Sequence, residues 1–262
     1  MSTASFEETA LFRVAKKWLG IALFLALWET LPRLGLVNAT FLPPFSAVAG
    51  NLFSSLISGE LEKHIFVSLS RSVTGFSLAL AVALPLGFIL GWFRTFEQFV
   101  DPVIQLFRQT SAFALFPLFI VILGIGEVSK VAIIFYGAQW PILLNTISGV
   151  KNVDPLLVKS ARSMGLGRFD LFRKVILPSS LPSIFTGLRL AATLSILIIV
   201  SAEMMGASSG LGYVLTNSQY NFDILRMYSA IVTLALIGLG VNFLLVSLER
   251  NLTGWKQEVT TY

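Results

Sequence analysis

"KSARSMGLGRFDLFRKVILP", Lys159 to Pro178, carries five cations and one acid inside a chain that is otherwise apolar enough for lipid. Just before it, Asp154 suits a helix N-cap and Pro155 the first helical position. Leu157, Ala161 and Met164 then recur at i, i+4 and i+7, on one helical face. Gly165 and Gly167 end this short helix. A second begins near Arg168, with Phe169, Phe172 and Ile176 as its apolar face and Arg173 and Lys174 beside it, and "ILP" closes the loop before the next apolar run. Three surfaces could bury such faces: anionic headgroups at a membrane interface, the chain's own spans, or a groove on a cytoplasmic partner. A sharp glycine corner that presents one short helix outward suits a plug better than a flat raft.

The surroundings of this stretch set the class. The chain has 262 residues, 55% hydrophobic and 13% charged, whereas a soluble domain is about one quarter charged. It reads as a multi-span membrane protein made of one membrane domain, 1–262, with short polar ends, "MSTASFEE" and "WKQEVTTY", and no linker or low-complexity tract. The net charge of +5 does not point to nucleic acid, because the basic residues flank apolar runs. There is no cysteine, and His64 is the only histidine, so thiolate chemistry, histidine-rich metal sites and paired haem ligands are excluded. No GxxxxGK[ST] occurs, so ATP is not held here by a P-loop. No nucleophile–base constellation stands at membrane depth.

A helix needs about 20 mostly apolar residues to cross the hydrocarbon core. Six runs qualify: about 18–36, 70–93, 103–123, 130–150, 183–205 and 229–248. With the N-terminus in the cytoplasm, twelve cations fall on the cytoplasmic side: Arg13, Lys16, Lys17, Arg94, Lys151, Lys159, Arg162, Arg168, Arg173, Lys174, Arg250 and Lys256. Five fall outside: Arg33, Lys63, Arg71, Lys130 and Arg226. Both termini, and the loop of about 151–178, are therefore expected in the cytoplasm. Pro85, Pro117 and Pro141 interrupt spans, and Gly87 with Gly91 forms a small-xxx-small pair for close helix approach. An ion-coupled secondary transporter is the rival reading. It would show matching broken helices in two halves, and no convincing repeat is present.

Lys159–Pro178 resembles the EAA motif of the permease subunits of bacterial ATP-binding cassette importers. That motif is EAA, three residues, Gly, nine residues, then I-x-L-P. Here Lys159-Ser160-Ala161 forms the head, Gly165 the glycine and Val175-Ile176-Leu177-Pro178 the tail, with the spacing intact. Lys159 stands where the family usually has Glu, and Ser160 where it has Ala, so the charge at the head is inverted. The resemblance continues through "LWETLPRLGLVNATFLPPFSAV", "SLSRSVTGFSLALAVALPLGFILGW", "ALFPLFIVILGIGEVSK" and "GLRLAATLSILIIVSAEMMGASSGLGY", and is to the branch importing nitrate, sulfonates, taurine or bicarbonate. That branch also includes importers of vitamin or pyrimidine precursors.

The resemblance implies an all-α type I importer permease fold with six transmembrane helices and a cytoplasmic coupling helix. It implies no enzyme and no cofactor in this chain, ATP and Mg being bound by two partner P-loop ATPase subunits. A periplasmic or lipid-anchored solute-binding protein would deliver the solute. A second permease copy would complete the pathway, most simply as a homodimer in the bacterial inner membrane. Lys159, Ser160, Ala161, Arg162, Met164, Gly165, Arg168 and Phe172 would dock on the ATPase. Arg108, Gln139, Asn145, Arg189 and Glu203 are ionisable or amide groups at membrane depth and are the candidate pathway or gate residues. "GASSGLGY", Gly206 to Tyr213, reads as an outer re-entrant turn.

Overall fold

The computed structural model describes residues 3–253, with side chains over residues 18–252. The side chains of Arg13, Lys16 and Lys17, and residue Lys256, which enter the charge count, lie outside that description, as does all of "WKQEVTTY". The described residues form helices only: α1 (Thr3–Arg33), α2 (Phe45–Ile57), α3 (Glu60–Trp92), α4 (Arg94–Gln109), α5 (Ala112–Leu123), α6 (Glu127–Lys151), α7 (Pro155–Ser163), α8 (Arg168–Leu171), α9 (Leu177–Met204), α10 (Leu211–Tyr220) and α11 (Ile224–Thr253).

Among the described residues, four runs are long and apolar enough to span a membrane: Glu60–Trp92, Glu127–Lys151, Arg168–Met204 and Ile224–Leu252. The unbroken third span expected over 103–123 is not one helix. The chain bends by 92° between α4 and α5. Thr110 at the end of α4 has extended backbone, and Ser111 N-caps α5 by accepting from the Ala114 N–H. α4 is strongly two-sided, with Glu97, Asp101, Gln105 and Arg108 against Phe96, Phe99, Val103 and Phe107. That pattern suits an interfacial helix. The first expected span falls on α1, which ends at Arg33.

The chain sorts into two compact units. One takes the residues up to Glu62 together with Val214–Thr233; the other takes Lys63–Tyr213 together with the chain from Leu234. In the first, the indole N–H of Trp28 donates to the Pro43 carbonyl (3.0 Å), and its ring packs on Phe45 and Tyr228. The Ser229 hydroxyl bonds Asn51 (2.9 Å), and Arg226 pairs with Glu60 (2.6 Å).

The second unit is built on α6. Its buried residues run its length, from Ser129 to Val150. α3 lies against it through three glycines. A Cβ on Gly75 would come within 2.6 Å of Ile134, one on Gly87 within 2.6 Å of Thr146, and one on Gly91 within 2.7 Å of Val150. The Gly87–Gly91 pair is thus a helix seam, and Gly75 extends it. α9 meets α6 on the other side, where Gly187 fits over Asn145 and the Pro141 carbonyl. Ala79, Ala83, Ala138, Ile142, Leu143 and Ala191 fill the space between the three helices. Without a hydrophobic drive between helices in lipid, such close backbone approach and dispersion carry the packing.

Candidate functional site

The segment that opened the sequence reading has two parts. α7 starts as expected: Asp154 accepts from the Leu156 N–H (2.7 Å), with Pro155 in the first turn. It ends at Ser163, and Gly165 just past its C-cap has a left-handed φ of +78° that favours glycine. Leu166 N–H closes the turn on the Ala161 carbonyl (3.2 Å). The second part departs from expectation. α8 does not stop in a loop at "ILP". It runs through a π-turn, Phe172–Ile176, directly into α9, so Arg168–Met204 is one rod. Pro178 explains the π-turn. Its ring would crowd the Lys174 carbonyl in a regular helix, and a wider turn relieves this.

The expected face is also split. Ala161 is 2% exposed and packs with Val150, Val153, Leu171 and Ile176. Phe172 lies edge-on to Phe88 (5.2 Å between centroids) and Trp92 (6.2 Å). The resemblance implies docking for both; here both pack against their own chain and root the segment. Leu156, Leu157, Met164 and Phe169 remain 50–74% exposed. Lys159, Ser160, Arg162 and Arg168 are exposed beside them. The result is a short helix with a fixed base and an uncovered apolar crown.

At the opposite end of α6 and α9 lies a buried charge cluster. The Glu203 carboxylate, fully buried, accepts from the Ser68 hydroxyl (2.8 and 2.9 Å), the Gly212 N–H (2.9 Å) and Arg71 Nη1 (2.8 Å). Arg71 also grips Glu127 with Nε and Nη2 (2.5 Å each) and donates to the Ser209 carbonyl (2.8 Å). The Leu211 N–H donates to Ser68 (2.8 Å), and the Gly210 N–H to Nδ1 of His64 (3.0 Å). Gly210, at φ +115°, sits so close that a Cβ there would strike the Glu203 carboxylate. Gly206, at φ +150°, starts the same turn. "GASSGLGY" is therefore a turn pinned by Ser68 and Arg71 of α3 and Glu203 of α9. Sequence reasoning found Glu203 but placed Arg71 and Lys130 as outer surface charges; they are 6% and 5% exposed. Arg71 stands in an apolar run, and a lone buried cation requires an acid; that signal could have paired it with Glu203.

The other pathway candidates separate. Arg108 and Asn145 line one open hollow of about 620 Å³ with Thr110, Ser111, Tyr136 and Trp140. The Tyr136 hydroxyl donates to the Phe107 carbonyl (2.6 Å), fastening the α4–α5 bend to α6. The indole N–H of Trp140 is buried without a partner. Gln139 turns back on the Tyr136 carbonyl (3.4 Å), outside the hollow's lining. Arg189 is ion-paired with Glu249 and is not among the residues lining the hollow, although its neighbour Leu190 is.

Comparison with known proteins fits this architecture. The family of binding-protein-dependent transport system inner membrane components matches residues 83–254. A putative aliphatic sulfonates transport permease protein, SsuC of Bacillus subtilis, is 34% identical over 90% of this chain and 85% of its own length. The taurine transport system permease protein TauC of Escherichia coli is 31% identical over 91% of this chain and 89% of its own. Among solved structures, the inward-facing MetNI methionine ABC transporter superposes with a TM-score of 0.65 at 20% identity. It covers 74% of this chain and 96% of the solved one, a likeness of fold alone.

Proposed function

The chain belongs to the binding-protein-dependent transport system inner membrane component family, and on that premise we propose that it couples two separate ATPases to inward movement of a small oxyanion through the crown of α7. Its relatives are permeases of ATP-binding cassette importers of the sulfonate, taurine and bicarbonate type, in which ATP is hydrolysed by partner subunits. The observation that carries the coupling role is the uncovered set Leu156, Leu157, Met164 and Phe169 on a helix whose base is buried at Ala161. A lever needs both features: a rigid root to transmit force and a greasy head to seat in a groove.

In this reading α7 lies in the cytoplasm, and each of two permease copies receives one ATPase. The whole chain acts as one permease domain. Closure of the ATPase pair moves the loop, and the α8–α9 rod carries the motion toward Glu203 and its turn. The permease is then a two-state element with a gate at each end. A binding protein supplies the solute at the Glu203 end. The hollow with Arg108, the Trp140 N–H and the Asn145 amide offers one cation and neutral hydrogen-bonding groups, which suits a singly charged sulfonate better than an apolar solute.

The test is uptake and ATP hydrolysis in vesicles holding the permease, its ATPase and its binding protein. Labelled taurine, alkanesulfonates, nitrate and bicarbonate are compared with a vitamin precursor. The Leu157→Asp/Met164→Asp double variant is expected to lower both uptake and solute-stimulated hydrolysis at least about tenfold, one buried apolar contact being worth about 1.5–3 kcal/mol. Wild-type rates in that variant would remove the coupling role. Uptake of the uncharged precursor alone would remove the oxyanion assignment.

A further inference from the structure

A second hollow, of about 550 Å³, lies under the loop, where the ends of α3 and α6 meet α7 and the α8 rod. Its floor is apolar: Gly91, Val150, Val153, Leu171 and Ile176. Five cations line it, Arg94, Lys151, Lys159, Arg162 and Arg168, and no acidic residue does. Lys151 is paired with Glu97 (3.0 Å). Among the described residues the other four have no ion-pair partner. Nearby acids are engaged elsewhere: Asp154 caps α7 and Asp170 pairs with Lys174.

Trp92, Phe93 and Arg94 belong both to this hollow and to an adjoining one completed by Thr95, Phe96 and Phe99. Phe93, Phe96 and Phe99 are 47–81% exposed. A cluster of uncompensated cations next to an open aromatic ledge matches a molecule with an anionic head and an apolar tail. We infer that this hollow holds the phosphate head of an anionic phospholipid, with an acyl chain along Phe93, Phe96 and Phe99. Basic pockets between membrane helices take such headgroups, and each basic residue near the phosphate strengthens the hold. The inference needs only that the chain spans a membrane. It gives Lys159, at the charge-inverted motif position, a role independent of any ATPase: it helps close a lipid site at the root of the loop.

The test uses the full chain, purified in a zwitterionic detergent and presented with phosphatidylglycerol, phosphatidylcholine or soluble glycerol phosphate, retained ligand being counted by native mass spectrometry. One phosphatidylglycerol should stay bound per chain, at least about tenfold more tightly than phosphatidylcholine. Arg94→Gln/Arg162→Gln should erase that preference, and Arg94→Lys/Arg162→Lys should keep it; unchanged helical circular dichroism certifies both folds. Equal retention of the two lipids overturns the inference, as does wild-type selectivity in the Gln pair or loss of selectivity in the Lys pair. Displacement of the lipid by equimolar glycerol phosphate would assign the hollow to a soluble anion and overturn the lipid assignment.

Discussion

Glu203 and Arg71 are each buried at less than a tenth exposure, and each is satisfied by the other plus fixed donors and acceptors. Losing one member leaves a charge without its partner in a low-dielectric site, which costs about 3–5 kcal/mol. Glu203→Ala is expected near the lower end, because Arg71 keeps Glu127, whose side chain is 63% exposed. Arg71→Met should cost more, since Glu203 then has only Ser68 and the Gly212 N–H. The double variant Arg71→Met/Glu203→Leu should be less destabilised than the sum of the singles. Unfolding midpoints in detergent, combined as a double-mutant cycle, measure this; additive losses would show that the pair is not coupled. Gly210→Ala is the companion case: a Cβ would strike Glu203 at a φ that L residues rarely adopt.

At the scale of elements, two features of the loop have separable consequences. Ala161 faces the chain's own core and Leu157 does not. Ala161→Asp should therefore lower the stability of the whole permease by roughly 2 kcal/mol or more, whereas Leu157→Asp should leave the melting temperature within about 1 °C of wild type. Thermal unfolding of the two variants in the same detergent decides it. The glycine seam makes a further prediction. Gly87→Val or Gly91→Val places methyls against Thr146 or Val150 and should cost about 1–3 kcal/mol by overpacking, while Gly238→Val on α11, where a Cβ meets nothing, should be near neutral. Equal losses at these positions would contradict the seam. The Gly87–Gly91 spacing was legible in the sequence because close helix approach demands small residues four apart. The bend after Thr110 was not. An apolar run reads alike whether it is straight or broken, and the Ser111 cap is a single hydrogen bond.

For the whole molecule, the sequence carried the apolar helices, the capped α7 and the basic loop, because these rest on local periodicity and composition. It misjudged which side of α7 is covered. Periodicity puts Leu157, Ala161 and Met164 on one stripe, but only the tertiary fold decides that Ala161 meets Leu171 and Ile176. It likewise missed that Arg71 and Glu203, 132 residues apart, share one buried cluster. Charge counting treats every cation near a span as a surface anchor, and only the fold brings the two helices together. In the proposed coupling, the continuous helix Arg168–Met204 is the rod that joins the α7 root to Glu203, with the crown at one end and the pinned turn at the other. The central claim is that the crown seats in a motor protein. A photo-crosslinking residue at position 157, in membranes containing the cognate ATPase, measures this directly. We expect a covalent adduct to the P-loop ATPase, reduced when Met164 is replaced by Asp. Adducts confined to lipid or to the permease itself, with the ATPase present and active, would contradict the account.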